Sequence, residues 1–336
     1  MKSPVVDCHN DWILMFARER SLEHTDSLER RFLPQFKAAG IDVQVTPIYI
    51  DPEFIPEGAL RRTLLLIQYL KEEVASCDEV ALCNTGAEID AAVSDGKLAL
   101  VLALEGSHAI GTDVQLFQAL FDLGVRMASF THFGNTSLAG GSADGDPGMG
   151  LSSHGIEALR SFERLGLVMD VSHLSTQATE EVLQHATRPL VASHSSLKAL
   201  RDHHRNLSDE HAKGIAALNG VIGVPAAIPI FIDPEYPTID RVVDHIEHLA
   251  ETVGIDHVGI GADYVREYFD EVYATYEKIE HQGEDVRAVI QGLDAPAGMP
   301  NLIEALERRG FEGDDLSKVL GGNFLRVFRE VMGIAA

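Results

Sequence analysis

The sequence predicts an α/β protein built as a (β/α)8 TIM-type barrel, and three observations carry that prediction. Short apolar, strand-like runs recur about eight times along the 336 residues. Segments of helical periodicity separate most of them. No G-x-G-x-x-G or Walker-type loop follows any run, which removes the usual reason for the main alternative, a doubly wound open sheet.

Taken in order, the strand candidates are PVVDCH (4–9), IDVQVTPIYI (41–50), LALVLALE (98–105), VRMASFTH (125–132), LVMDVSH (167–173), PLVASH (189–194), GVIGVPA (220–226) and HVGIGAD (257–263). Between them lie SLERRFLPQFKAAG, RRTLLLIQYLKEEVA, VQLFQALFDLG, GIEALRSFERLG, TEEVLQHA, SDEHAKGIAALNG and IDRVVDHIEHLAETVG, several ending in the glycine that most easily stops a helix. No repeat, low-complexity stretch or Pro/Gly/Ser-rich linker divides the chain, so residues 1–336 read as one domain. Residues 264–300 exceed a normal βα connection. In a barrel they form a lid-like insertion after the last strand, on the face where active sites are built.

Composition narrows the function classes. With 45 % hydrophobic and 24 % charged residues the chain is an ordinary globular protein. Its 27 basic and 52 acidic residues leave a net charge of −25, which argues against nucleic acid as a partner. The acidity reads as a solvated, self-repelling surface. Three cysteines, Cys8, Cys77 and Cys83, make a poor disulfide framework and point to a reducing compartment. The N-terminal stretch lacks a basic segment followed by an apolar core, and the longest apolar runs are too short to span a bilayer. The expectation is a cytoplasmic protein with no membrane partner.

Polar residues fall at one end of these runs. His9 and Asp11, Glu105, His132, His173, His194 and Asp263 close six of the eight strands at their carboxyl ends. Alone, each histidine reads as a hydrogen-bonded structural residue, and Glu105 or Asp263 as a helix cap. Together they place imidazoles and carboxylates from several strands around one mouth, and buried charges of that kind need cations. The donor set fits Zn²⁺ or a similar transition metal. If 5–11 is extended, Asp7, His9 and Asp11 share one side, with a metal opposite His9 and Asp11 and with Asp7 as a supporting or capping residue. Cys8 then points away and reads as a small buried residue. His9 and Asp11 can grip one ion and His173 and His194 another, with Glu105 bridging; two such ions can hold a hydroxide and polarise a carbonyl or phosphoryl oxygen.

Eight ordered blocks extend the pattern: DCHND (7–11), LEGSHAI (104–110), SFTH (129–132), DVSHLS (170–175), ASHSS (192–196), HHRNLSDE (203–210), HVGIGADY (257–264) and GGNFLRVF (321–328). With them the chain resembles the membrane (renal) dipeptidase family of zinc metallopeptidases, which has an amidohydrolase-type barrel. The resemblance implies a first zinc on His9, Asp11 and Glu105 and a second on Glu105, His173 and His194. It implies that His132 contacts substrate and steadies the oxyanion, that Arg205 pairs with the substrate's terminal carboxylate, and that Asp263 is the acid–base group. It leaves His203 and His204 without a role, and His108 and His154 as structural or solvent-exposed residues. It departs from the family in FGNTSLAGGSADGDPG after His132 and in YVRE after Asp263, both at the expected substrate mouth.

The implied activity is zinc-dependent hydrolysis of dipeptides, L-Xaa-D-Xaa included, by a metal-bridged hydroxide, with other divalent transition metals able to replace zinc. Two readings stand against it. One is a binuclear barrel hydrolase of a non-peptide amide, lactone or phosphoester, although Arg205 favours a substrate with a free carboxylate. The other is a non-catalytic, metal-stabilised scaffold. A homodimer is the general expectation for assembly.

Overall fold

A computed structural model describes residues 3–132, 134–273, 280–281, 284–285 and 287–332. Nine strands form its main sheet: β1 (Val6–Asp7), β2 (Val43–Tyr49), β3 (Val80–Leu82), β4 (Leu98–Glu105), β5 (Val125–Ser129), β6 (Val168–Asp170), β7 (Val191–Ala192), β8 (Val221–Val224) and β9 (Val258–Ile260). Eight run parallel in the order β1-β2-β4-β5-β6-β7-β8-β9. The ring closes because Cys8 N–H donates to Ile260 O at 3.0 Å and Asp263 N–H to His9 O at 2.9 Å. The eight expected runs are these eight strands, and the architecture is a (β/α)8 barrel. The additional β3 is not legible as a separate run; it pairs with Leu98–Leu100, the first part of β4, whose later residues pair with β5.

Period-two alternation sorts the strands onto two cores. Along β4, Leu98, Leu100, Leu102 and Leu104 pack under the surrounding helices, while Ala99, Val101 and Ala103 join Val6, Cys8, Val43, Val45, Met127, Val168, Val191 and Val221 inside the barrel. Phe324 and Phe328 of the helix Asn323–Val331 belong to that inner cluster. Gly259 leaves room for the Phe324 ring: a Cβ there would lie 2.3 Å from its Cε2. Glu105, Asp170 and Ser193 each stand two residues beyond an inward-facing residue, so the alternation carries polar groups onto the inner face only at the mouth.

β1 departs from its expected geometry. It ends at Asp7, and the chain turns at Asn10, whose side-chain oxygen accepts from Trp12 N–H at 3.3 Å, into the short 3₁₀ helix Asp11–Leu14. The expectation that residues 5–11 are extended is therefore corrected: Cys8 continues the inward row begun by Val6, and His9 and Asp11 reach the mouth because the strand has already ended.

Of the stretch 264–300, the helix Arg266–Val272 follows β9 closely, while residues 274–279, 282–283 and 286 lie outside the described residues. That helix is docked on both sides. Arg31 pairs with Glu267 and Glu271, and Arg18 Nη1 lies 2.7 Å from Glu271. The hydroxyls of Tyr268 and Tyr273 donate to Asp51 Oδ1, in the loop after β2, at 2.5 and 2.6 Å.

Candidate metal centre

Glu105 ends β4 in the middle of the mouth and is 4 % exposed, so its charge must be met by neighbours. Its Oε1 lies 2.8 Å from His173 Nε2, 3.4 Å from His9 Nε2, 3.5 Å from His194 Nε2 and 4.0 Å from His132 Nε2. Asp11 Oδ1 is 3.9 Å from His9 Nε2. Three clusters of ligand-type atoms, each within 4.8 Å, result: Glu105 with His9 and His194, Glu105 with His132 and His173, and His9 with Asp11 and Asp263. The fold thus gathers all seven strand-end residues at one point. The grouping differs from the expected pairs, in that His194 joins His9 around Glu105 and Asp263 joins Asp11. The two Nε2 atoms of His173 and His194 still face each other at 2.9 Å.

His173 and Asp263 hold φ of 69° and 62°, the left-handed region that few residues other than glycine adopt. Local bonds impose both conformations. His173 O accepts from Ser142 N–H at 2.8 Å, and Asp263 N–H closes the barrel onto His9 O. Such strain persists only where the surroundings over-determine it, and it concentrates at functional sites.

Beneath the cluster lies a hydrogen-bonded layer that the strand-end pattern does not single out. Asp170 accepts from Ser172 N–H at 3.0 Å, Ser193 N–H at 2.9 Å and Ser193 Oγ at 2.6 Å. Ser193 Oγ also lies 2.7 Å from His194 Nδ1 and 3.3 Å from His9 Nδ1. A hydroxyl donates once. With its proton on Asp170, Ser193 accepts N–H from the Nδ1 of both histidines, so that each ring, once its Nε2 is deprotonated, presents that lone pair toward Glu105. That is the tautomer a metal needs. Asp7, expected as a supporting residue, accepts from Ala262 N–H at 2.7 Å and His9 N–H at 3.3 Å. The buried polar residues inside DVSH and ASH were the available signal for Asp170 and Ser193.

Charge in this cluster is unbalanced. Burial, reinforced by Glu105, pushes the Asp11 carboxyl well above its ordinary range. Burial raises Asp263 to about 6, with Glu105 adding to it and His9 and Arg205 opposing. Burial also works to raise Glu105, yet His9, His132 and the hydrogen bond from His173 outweigh it and hold that carboxylate well below its usual value. His9 is raised to about 10 against the effect of burial by Glu105, Asp11 and Asp263. Burial, helped by Arg205, holds His173 and His194 well below neutrality.

His9 Nε2 and Asp11 Oδ1 are buried with no hydrogen-bond partner among the described residues. Imidazole nitrogens and carboxylate oxygens with orphaned lone pairs fit a divalent transition metal, and these residues accommodate one.

Above the cluster opens a cavity of about 500 Å³. Asp11, Glu105, His132, His173, His194 and Asp263 line it, with Tyr49, whose ring lies 4.3 Å from that of His132. His108 lines it too. Arg205 does not line it. Its guanidinium, 3 % exposed, sits behind the wall, 5.3 Å from the Phe231 ring centre, with Nη2 on His194 O at 3.2 Å and Nε without a hydrogen-bond partner among the described residues. Burial lowers it to about 10, so it stays charged.

The family model described as membrane dipeptidase (peptidase family M19) matches residues 1–279 and 282–336. The chain belongs to that family. It is a metallo-dipeptidase, a hydrolase of peptide bonds. It is 29 % identical to dipeptidase verJ of Clonostachys rogersoniana, over 98 % of this chain and 84 % of that protein. It also superposes on the crystal structure of dipeptidase AC, a metallopeptidase of family M19, with TM-score 0.85 and 25 % identity over 99 % and 100 % of the two chains. A metallopeptidase from Rhodobacter sphaeroides, liganded with a phosphinate mimic of the dipeptide L-Ala-D-Ala, shares the fold with TM-score 0.85 and 24 % identity over 98 % and 100 %. No described helix is long and apolar enough to cross a membrane.

The Ser193 hydroxyl generates a specific expectation. Ser193→Ala weakens metal binding about 10- to 100-fold in chelator competition, and Ser193→Thr, which keeps the hydroxyl, recovers most of it. Equal affinity in all three proteins would remove Ser193 from the control of its histidines.

Proposed function

We propose that the protein is a zinc-dependent dipeptidase that accepts L-Xaa-D-Xaa dipeptides among its substrates and holds two Zn²⁺ through His9, Asp11, Glu105, His173 and His194. The single observation that carries the reading is the buried Glu105, with three imidazole Nε2 atoms within 3.5 Å of one of its oxygens. Divalent metal bound there supplies an activated water and polarises the scissile carbonyl.

The chain's own residues supply the rest. Glu105, between the His9–Asp11 side and the His173–His194 side, is the one carboxylate able to serve both. Asp263, buried in one cluster with His9 and Asp11, stands where it can take a proton and deliver it to the departing amine. His132 lines the cavity beside Glu105, where its ring can face a carbonyl oxygen that gains charge. Arg205 is the cation nearest this floor, buried with an uncommitted Nε, and a planar guanidinium suits a carboxylate. The phosphinate mimic of L-Ala-D-Ala bound by the Rhodobacter sphaeroides protein is the substrate chemistry this reading carries over. Within the reading, 1–336 is a single domain, and the described start of the segment 264–300 serves as a lid, with Tyr268, Phe269 and Tyr273 on the cavity wall. Three buried free cysteines accord with a cytoplasmic protein.

The deciding experiment is hydrolysis of L-Ala-D-Ala and L-Ala-L-Ala by zinc-loaded and chelator-stripped protein in parallel. Cleavage by the loaded protein alone is expected; no cleavage by protein that holds two metals would transfer the site to a non-peptide substrate.

Asp263→Asn is expected to retain both metals by elemental analysis while kcat falls about 10²- to 10⁴-fold. Loss of metal instead would make Asp263 a ligand and end its role as proton relay.

For Arg205→Met the expected result is a KM at least about tenfold higher for dipeptides with a free carboxyl end, with kcat changed less. An unchanged KM would refute the carboxylate clamp.

A further inference from the structure

The floor of the cavity is ionic, but its walls are not. Three loops build them: Ile50 and Ile55 follow β2, Ile228 and Ile230 follow β8, and Val265 and Phe269 follow β9. The ionisable groups of the lining are the Glu105-centred cluster, His108 and three tyrosines. Two of those tyrosines, Tyr268 and Tyr273, spend their hydroxyls on Asp51. Burial lowers the affinity of His108 for a proton, which favours a neutral ring. No carboxylate or cationic side chain of the described lining therefore stands on the walls above the floor.

The space exceeds what two methyl side chains fill, since about 500 Å³ lies above a floor that fixes only the peptide unit and its ends. Apolar side chains placed there are removed from water against aliphatic and aromatic surface, and each buried methylene strengthens binding. A charged side chain in the same space loses its hydration and finds no partner on the walls.

We infer that the preferred substrates are dipeptides with bulky aliphatic or aromatic side chains, and that the apolar walls reject dipeptides with charged side chains. The inference rests on the dipeptidase reading and names its substrate class.

The test compares kcat/KM of the zinc-loaded full chain for Leu-Leu, Ala-Ala, Glu-Glu and Lys-Lys, each as the L-D and the L-L dipeptide. The expected ranking puts Leu-Leu at least about tenfold above Ala-Ala and the charged pairs at least about tenfold below it. Phosphinate mimics of the same pairs, titrated by calorimetry, should rank alike without turnover. Ile55→Glu, on a partly exposed loop residue of the wall, is expected to raise the Lys-Lys to Leu-Leu ratio at least about tenfold. Equal or better cleavage of Ala-Ala or the charged pairs, or a ratio unmoved by Ile55→Glu, would overturn the inference while the dipeptidase reading stands. Cleavage of no member would overturn both.

Discussion

The structure turns on the burial of carboxylates whose charges nothing in the protein fully answers. Asp11, Glu105 and Asp263 stand within one mouth, at 6 %, 4 % and 5 % exposure, among four imidazoles. An isolated buried carboxylate would protonate to escape its desolvation. Here burial keeps His173 and His194 neutral; His9, raised by the same carboxylates, is the main reason that Glu105 remains ionised, while Asp11 and Asp263 carry the unrelieved part of the repulsion. Cations resolve this imbalance at once, so the site is built to be completed by metal.

Holding such a cluster in place is the work of the barrel. The inward row of each strand is apolar until its last position, so polar atoms enter the lumen only in the layer that Glu105, Asp170 and Ser193 share. Below that layer, Phe324 and its neighbours fill the lumen and leave the polar groups nowhere to retreat. Within it, the Asp170–Ser193 pair turns two imidazoles the same way through one hydroxyl. The left-handed conformations of His173 and Asp263 are the backbone cost of that arrangement, offset by the packed and hydrogen-bonded ring around them.

Much of this was legible because a parallel strand buried on both faces leaves a plain mark: an apolar run that ends abruptly in a polar residue. Six of the eight barrel strands and the seven strand-end residues follow from that mark, and the other two strands from the apolar run alone. What escaped it depends on where chains cross. The alternation assumed for residues 5–11 fails because Asn10 caps a 3₁₀ turn, a local event with no period. β3 lies off the ring and pairs only with the first part of β4, so it carries no polar residue to the mouth and leaves no such mark. Asp170 and Ser193 sit within the very motifs that drew attention to their histidines, and only the distance between two neighbouring strands reveals their bond. The clasp of Tyr268 and Tyr273 on Asp51 joins residues more than two hundred positions apart.

The acidic surface and the apolar walls act in the same direction. A net charge of −25 repels anions approaching from solvent, although salt confines that field to about 10 Å. A dipeptide with apolar side chains is a zwitterion without net charge, so the surface field exerts little net force on it. Inside the cavity, the fixed positive charge of Arg205 and of any bound metal lies beside the floor, where under the proposed reading it meets the substrate's carboxylate and not its side chains. Under the same reading, selection falls to the loops after β2, β8 and β9, which stand apart from the inward rows of the barrel. The proposed chemistry and specificity thus rest on separate layers of this barrel, one at the strand ends and the other in the loops.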